Sequence, residues 1–262
     1  MNLVRSNPIK GWPERTKLVR LGFCDAAGLS SIQQEPFAVH SVVIIEGDHL
    51  WHEVDADVQA ILDTLPLSPA EKLKFEFHAG ELFQGDEDLH LDRSERQRVQ
   101  KAFLELIPKH SLPFVSGGVD KVHAEQTVKP YSFERLGMTY EDVSFLFAIE
   151  RLELWFRREQ IDEKALLISD ESNVAHLLEE CVRTYRNRPL PYPTLDLKFD
   201  HVVALPLFTA SHKSWGVQLA DHASYFLKRE LMGKTNSHDL WEFIAPHLQD
   251  FRLYPLLFSN RA

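Results

Sequence analysis

Four segments apolar enough to be buried each end in acid, and few architectures accommodate that. Asp25 closes the stretch Leu18–Cys24, and Glu76 with His78 breaks the apolar run of Phe75–Gly80. Asp170 with Glu171 follows Ala165–Ser169, and Asp221 ends Trp215–Ala220. An ionised carboxylate in apolar surroundings is costly unless it is paired or bound to a metal. Carboxylates distant in sequence but gathered at strand ends are what a divalent-metal site is assembled from. A metal-dependent enzyme is the leading reading of this pattern.

Composition leaves room for it. The chain has 262 residues, 44% of them hydrophobic, with 17 Phe and 5 Trp, enough to bury a sizeable core. One α/β domain is expected over 1–262, with its core at about 17–232 and a C-terminal helical extension over 233–262. No apolar run approaches the ~20 residues of a membrane-spanning helix, and the first residues lack a secretory pattern. No membrane partner and a cytoplasmic location are therefore expected. The two cysteines give neither a disulfide framework nor zinc spacing. A net charge of −10 argues against a surface that is basic throughout, although carboxylates clustered at a metal site would inflate that count. Basic residues do cluster at Arg93, Arg96, Arg98 and Lys101, at Arg151, Arg157 and Arg158, and at Arg183, Arg186 and Arg188. A nucleic-acid-binding face and ordinary solvated helix faces both explain them.

Alternation predicts strands over Lys17–Cys24 and Phe37–Ile45, joined as a hairpin through Gly28, Ser30 and Ser31. Helices are expected over Asp48–Leu65 and Asp92–Ile107, the second stopping at Pro108, with a short strand over Leu112–Val119. Tyr140–Gln160 reads as a long helix, and the continuous apolar run Ala165–Ser169 as a strand covered on both faces. Ser172 or Asn173 would cap a further helix to about Tyr185, and Pro189, Pro191 and Pro193 mark a loop. A strand near His201–Leu205, a helix from Trp215 to about Met232 and a last helix from Ser237 complete the reading. Strands and helices in alternation, opening with a hairpin, imply an α/β fold with a central mixed sheet flanked by helices. Ligands in such sheets gather beyond the carboxyl ends of the strands, where Asp25 and Asp170 would lie.

Each acidic position also has an ordinary explanation. Gln218, Asp221, His222 and Tyr225 form one polar stripe on an otherwise apolar helix, which suits either a ligand or a buried hydrogen-bond network. Asp170 fits an N-cap as well as a metal ligand, and Asp25 fits a turn residue before Gly28. In an extended Phe75–His78, Glu76 and His78 share a face, as a ligand and base would, or as an exposed Glu beside a satisfied His.

Taken in order, these motifs resemble the family catalogued as domain of unknown function 3800, whose members are similar to RNase H-like nucleases. Five matches carry the resemblance between about Leu18 and Met232: the strand ending at Asp25, Glu76-Phe-His-Ala79, Val119-Asp-Lys121, Leu167-Ile-Ser-Asp170-Glu171, and Ser211-His-Lys-Ser-Trp-Gly-Val-Gln-Leu-Ala-Asp221. The resemblance implies an RNase H-like mixed sheet in which Asp25, Glu76, Asp170 and Asp221 bind two Mg²⁺ or Mn²⁺ ions and hydrolyse a phosphodiester of DNA or RNA. It also implies proton transfer by His78 or Glu171, phosphate contacts from Lys121 and Lys213, and supporting roles for Ser211 and Gln218. Where the family usually carries Glu after its first Asp, this chain has Ala26, and Ala27 stands where Ser is common. That departure keeps a catalytically degenerate binding or regulatory protein in view. A metal-dependent phosphatase acting on small phosphate esters needs the same carboxylates. No GxSxG, HExxH, GxxxxGK[ST] or GxGxxG pattern is present.

Overall fold

Bulky and β-branched residues at alternate positions of Val19–Ala27 (β1) and Phe37–Glu46 (β2) suit a pleated sheet buried on both faces. The two strands pair antiparallel from Arg20↔Glu46 to Ala27↔Val39. In the computed structural model, residues 19–47, 50–85, 90–127, 138–171, 199–202 and 206–254 are described, with the isolated positions 179 and 183. The expected cap at Ser172 or Asn173 and the proline loop at 189–193 fall outside them, as do Cys181, Arg186 and Arg188.

The sheet has six strands. Phe114–Asp120 (β3) runs antiparallel to β2, Lys164–Asp170 (β4) parallel to β1, Leu207–Thr209 (β5) parallel to β4, and Leu248–Tyr254 (β6) parallel to β3. Across the sheet the order is β5-β4-β1-β2-β3-β6. Helices cover both faces, as the alternation of apolar segments implied. Phe23, Val43 and Ile45 point to one side, against Leu50–Asp63 (α1), Arg93–Leu104 (α4) and the long Trp215–Leu231 helix (α8). Cys24, Val42 and Ile44 point to the other, against Tyr140–Arg158 (α7). Helix α7 lies flush on β3 because Gly117 has no side chain: a Cβ there would stand 2.3 Å from the Ser144 carbonyl oxygen.

Short elements fill the connections: Pro69–Lys72 (α2), Ala79–Gln84 (α3), Leu106–Lys109 (α5), Lys121–Thr127 (α6) and His238–Ile244 (α9). Three differences from the sequence expectations have physical causes. Pro108 does not stop the chain from turning helically, because it sits in the first turn of α5, where its missing N–H has no intrahelical partner to lose. Strand β4 is buried on one face and half-buried on the other, rather than covered on both. The stretch after Met232 is more than a helical extension, since it supplies β6 at the sheet edge. That strand is hard to read because its buried residue is Arg252, not an apolar one.

Arg252 is buried because Glu150 of α7 is buried beneath it. Both Glu150 carboxylate oxygens accept from Arg252 Nη1, at 2.8 and 2.7 Å, and Arg151 also bonds to Glu150. Removing one partner of such a pair strands the other charge in the interior, which typically costs about 3–5 kcal/mol. Glu150→Ala is expected to lower stability by about that amount, with β6 the first strand to lose amide protection in hydrogen exchange. Protection in β6 equal to wild type would show that Glu150 does not hold the edge strand.

Candidate metal centre

The parallel pairing of β1 with β4 sets Cys24 beside Ser169, so the next residues, Asp25 and Asp170, leave the sheet side by side on the α8 face. A turn follows β1 at Gly28, whose φ of 83° a side chain rarely adopts and whose Cβ would fall 1.9 Å from the Phe37 carbonyl oxygen. Helix α8 crosses the same face and brings Asp221 to this end of the sheet. In the extended residues before α3, Phe77 enters the core and stacks on Phe103, so Glu76 and His78 face the other way, into the cleft.

The cleft measures about 530 Å³ and is lined by Asp25, Glu76, Asp170, Glu171, Asp221 and Glu141 together with His40, His78, Ser169 and Ser211. Six carboxylates thus face one space, and no lysine or arginine is among its described lining residues. Hydrogen bonds hold the acids in place. The Ala26 amide donates to Asp25 Oδ1 at 2.7 Å, the Ala79 amide to Asp221 Oδ2 at 2.8 Å, and the Ser211 hydroxyl to Glu76. No three His, Cys, Asp or Glu side chains among the described residues form a ready coordination group.

Charge crowding shows in the protonation of these groups. Burial, then the charges of Asp221 and Asp170, hold the Asp25 carboxyl well above the usual carboxylate range. Burial pushes Asp221 up to about 6, partly offset by His78 and the Ala79 amide. Burial also raises Asp170, against hydrogen bonds from the backbone of Glu171 and Ser211. A divalent cation would remove the cost that all three share, so the donor set, hard oxygens in excess of any countercharge, fits Mg²⁺ or Mn²⁺.

Gln218 does not line this cleft; it fastens the cleft's walls together. Its Oε1 accepts from the Phe77 amide at 3.0 Å, and its Nε2 donates to the Ser211 carbonyl at 2.7 Å. One side chain on α8 therefore sets the segments that carry Glu76 and Ser211. Gln218→Leu leaves the buried Phe77 amide without a partner and takes one of two donors from the Ser211 carbonyl, which keeps the Ser214 amide, and should destabilise the fold by about 1–3 kcal/mol. Gln218→Glu keeps the acceptor for Phe77 but turns a carboxylate oxygen on the Ser211 carbonyl in a buried position, so it too should destabilise the fold in chemical denaturation. Equal stability of both variants with wild type would dismiss this bracing role.

The structure moves several expected residues away from the site. Lys121 is buried, and its ammonium donates to the Gly28 and Ser30 carbonyls at 2.9 and 2.7 Å, so it holds the loop after β1 instead of meeting phosphate. Lys213 is exposed and lines a second groove behind the Ser211 wall. Of the polar stripe on α8, His222 turns into the core: its Nδ1–H donates to the Gln218 carbonyl, and burial lowers its pKa to about 4. Several members of the basic clusters answer acids of this protein. Arg98 bonds to Glu95, Arg157 pairs with Glu153 and Asp200, and Arg158 pairs with Glu159. His78 uses its Nδ1 to accept from the Glu81 amide at 3.4 Å, which caps α3 and leaves Nε2 for the cleft.

His40 is the site residue that sequence reasoning missed. It pairs with Ala26 across the β1–β2 ladder, so it rises on the α7 face of the sheet beside that alanine. The Ser144 hydroxyl donates to the Glu141 carbonyl at 3.0 Å, so its oxygen accepts from His40 Nδ1–H at 2.8 Å. That fixes the tautomer with a lone pair on Nε2, and burial lowers the His40 pKa to about 3. The one available signal was the polar pair His40-Ser41 inside the apolar run Phe37–Ile45.

No helix among the described residues is long and apolar enough to cross a membrane. Compared with protein-family models, curated proteins and solved structures, the chain matches none.

Proposed function

We propose that this chain is a divalent-metal-dependent nuclease of the RNase H-like kind. One observation carries the reading: four acids from four separate segments, Asp25, Glu76, Asp170 and Asp221, converge with two further carboxylates on a cleft lined by no lysine or arginine among the described residues. An antiparallel β1–β2–β3 meander, continued by the parallel strands β4 and β5, supports the fold half of it by placing Asp25 and Asp170 at one end.

Asp25, Glu76, Asp170 and Asp221 would hold Mg²⁺ or Mn²⁺. Such ions supply a water acidic enough to attack at neutral pH and a countercharge for the phosphate and the leaving oxygen. The chain's own residues do the rest. Asp25 and Asp170 are set by adjacent strands, a rigid base for the ligands, and Asp221 is set by the Ala79 amide. Ser211 and Gln218 keep Glu76 turned into the cleft. His78 Nε2 and the exposed Glu171 carboxylate stand at the rim, where a proton can be exchanged with solvent.

The test is cleavage of single- and double-stranded DNA, RNA and an RNA–DNA hybrid with Mg²⁺, Mn²⁺ or chelator. Metal-dependent cutting that Asp170→Asn abolishes is the expected result. A second reading, a binding protein on the same scaffold without turnover, draws on Ala26 and on the absence of a ready coordination group among the described residues. Folded protein that cuts nothing across the panel would favour it. Cutting of small phosphate esters alone would indicate a phosphatase.

A further inference from the structure

We infer that the groove behind the carboxylate cleft is a subsite for an unpaired nucleotide of a single-stranded nucleic acid, an inference that rests on the nuclease reading above. This groove, about 500 Å³, is lined among others by Trp51, Phe75, Trp215, Lys72 and Lys213. Two wall segments divide it from the cleft, and each faces both ways. Glu76 and His78 line the cleft while Phe75 and Phe77 line the groove; Ser211 lines the cleft while His212 and Lys213 line the groove. Gln218 ties the two segments together, so cleft and groove are held in one fixed relation. A strand whose phosphate lies at the carboxylates has its neighbouring nucleotide at this wall.

The lining suits a base and a phosphate. Trp51 and Trp215 are half-buried and stacked, with ring centroids 4.3 Å apart and planes 27° apart. Trp215 Nε1–H donates to Asp55 Oδ1 at 3.0 Å, which fixes the indole pair and engages one oxygen of that carboxylate. Aromatic platforms of this sort take unpaired bases whatever their sequence, because every base has a π-face. Lys72 is committed to the Asp63 carbonyl, whereas Lys213 is exposed and has no ion pair among the described residues. It sets an exposed positive charge in the groove, which Asp55 and Asp63 also line, whereas the described lining of the carboxylate cleft has no lysine or arginine. Bases in a duplex are stacked on each other and do not offer a face to such a platform, so the groove selects single strands or frayed ends.

The experiment is fluorescence anisotropy at low salt with Ca²⁺, using labelled oligonucleotides of about ten nucleotides as single strands, as a duplex and with one abasic position. Tryptophan emission is followed in parallel. Wild type should bind the single strand more tightly than the duplex, with tryptophan quenching. Lys213→Glu should weaken single-strand binding about tenfold, and Phe75→Ala or the abasic position about fivefold or more. Lys213 is exposed, so its variant tests the charge without disturbing the fold. Single strands bound by Lys213→Glu and Phe75→Ala as tightly as by wild type, or duplex bound as tightly as single strand without quenching, would overturn the subsite and leave the nuclease reading standing. Wild type that binds no nucleic acid would overturn both.

Discussion

Asp221→Asn is expected to leave a folded protein whose metal-dependent cleavage falls about a hundredfold to a thousandfold, about 3–4 kcal/mol of lost transition-state stabilisation. The substitution keeps the shape of the side chain and an oxygen for the Ala79 amide at 2.8 Å, and removes only the charge. Asp170→Asn should behave in the same way, because Asp170 stands beside Asp25 on the parallel strand and lines the same cleft. Steady-state cleavage alongside far-ultraviolet circular dichroism separates lost chemistry from lost structure. Full activity in either variant would remove that acid from the ion-binding set.

Without metal, the same crowding should appear as a pH-dependent penalty. Asp221 titrates near 6 in the folded chain against an ordinary value of 3.8, so the folded state holds its proton more tightly than the unfolded chain does. The sign follows: this carboxyl's contribution to stability is complete at pH 4 and below, declines as pH rises from about 4 to about 6, and is level above. Two pKa units correspond to about 3 kcal/mol. Asp25 and Asp170, raised for the same reason, act in the same direction. Surface acids with lowered values, such as Glu35 and Asp57, act in the opposite direction, so the quantity to measure is a difference. In chelator, Asp221→Asn should match wild type near pH 4 and be more stable by about 3 kcal/mol at pH 7. Mg²⁺ or Mn²⁺ at pH 7 should stabilise wild type and have little effect on the variant. A constant difference between the two proteins across that pH range would show that Asp221 carries no such penalty.

The fold was legible where burial imposed a simple period. The β1–β2 hairpin, the long α7 helix and the α8 helix all follow from apolar spacing, and their observed bounds lie within a few residues of the expected ones. Edge strand β6 was hidden because an ion pair, not an apolar face, buries it. Asp25 and Asp170 could be set together from sequence, since parallel strands bring their carboxyl ends to one side. The partition of nearby polar residues could not. Whether Lys121 reaches a ligand or a backbone carbonyl, and whether Lys213 lies before or behind the Ser211 wall, depends on loop geometry without periodicity. His40 needed the register of β1 against β2, because only that places it beside Ala26.

The most direct measurement is Mn²⁺ binding to the folded chain, followed by the loss of the free-ion electron paramagnetic resonance signal, beside Asp25→Asn. A two-ion carboxylate centre predicts uptake of about two Mn²⁺ per chain, sharply reduced in the variant. Wild-type protein that takes up no Mn²⁺ at millimolar concentration, or a variant that takes up as much as wild type, would contradict the metal centre at Asp25, Glu76, Asp170 and Asp221.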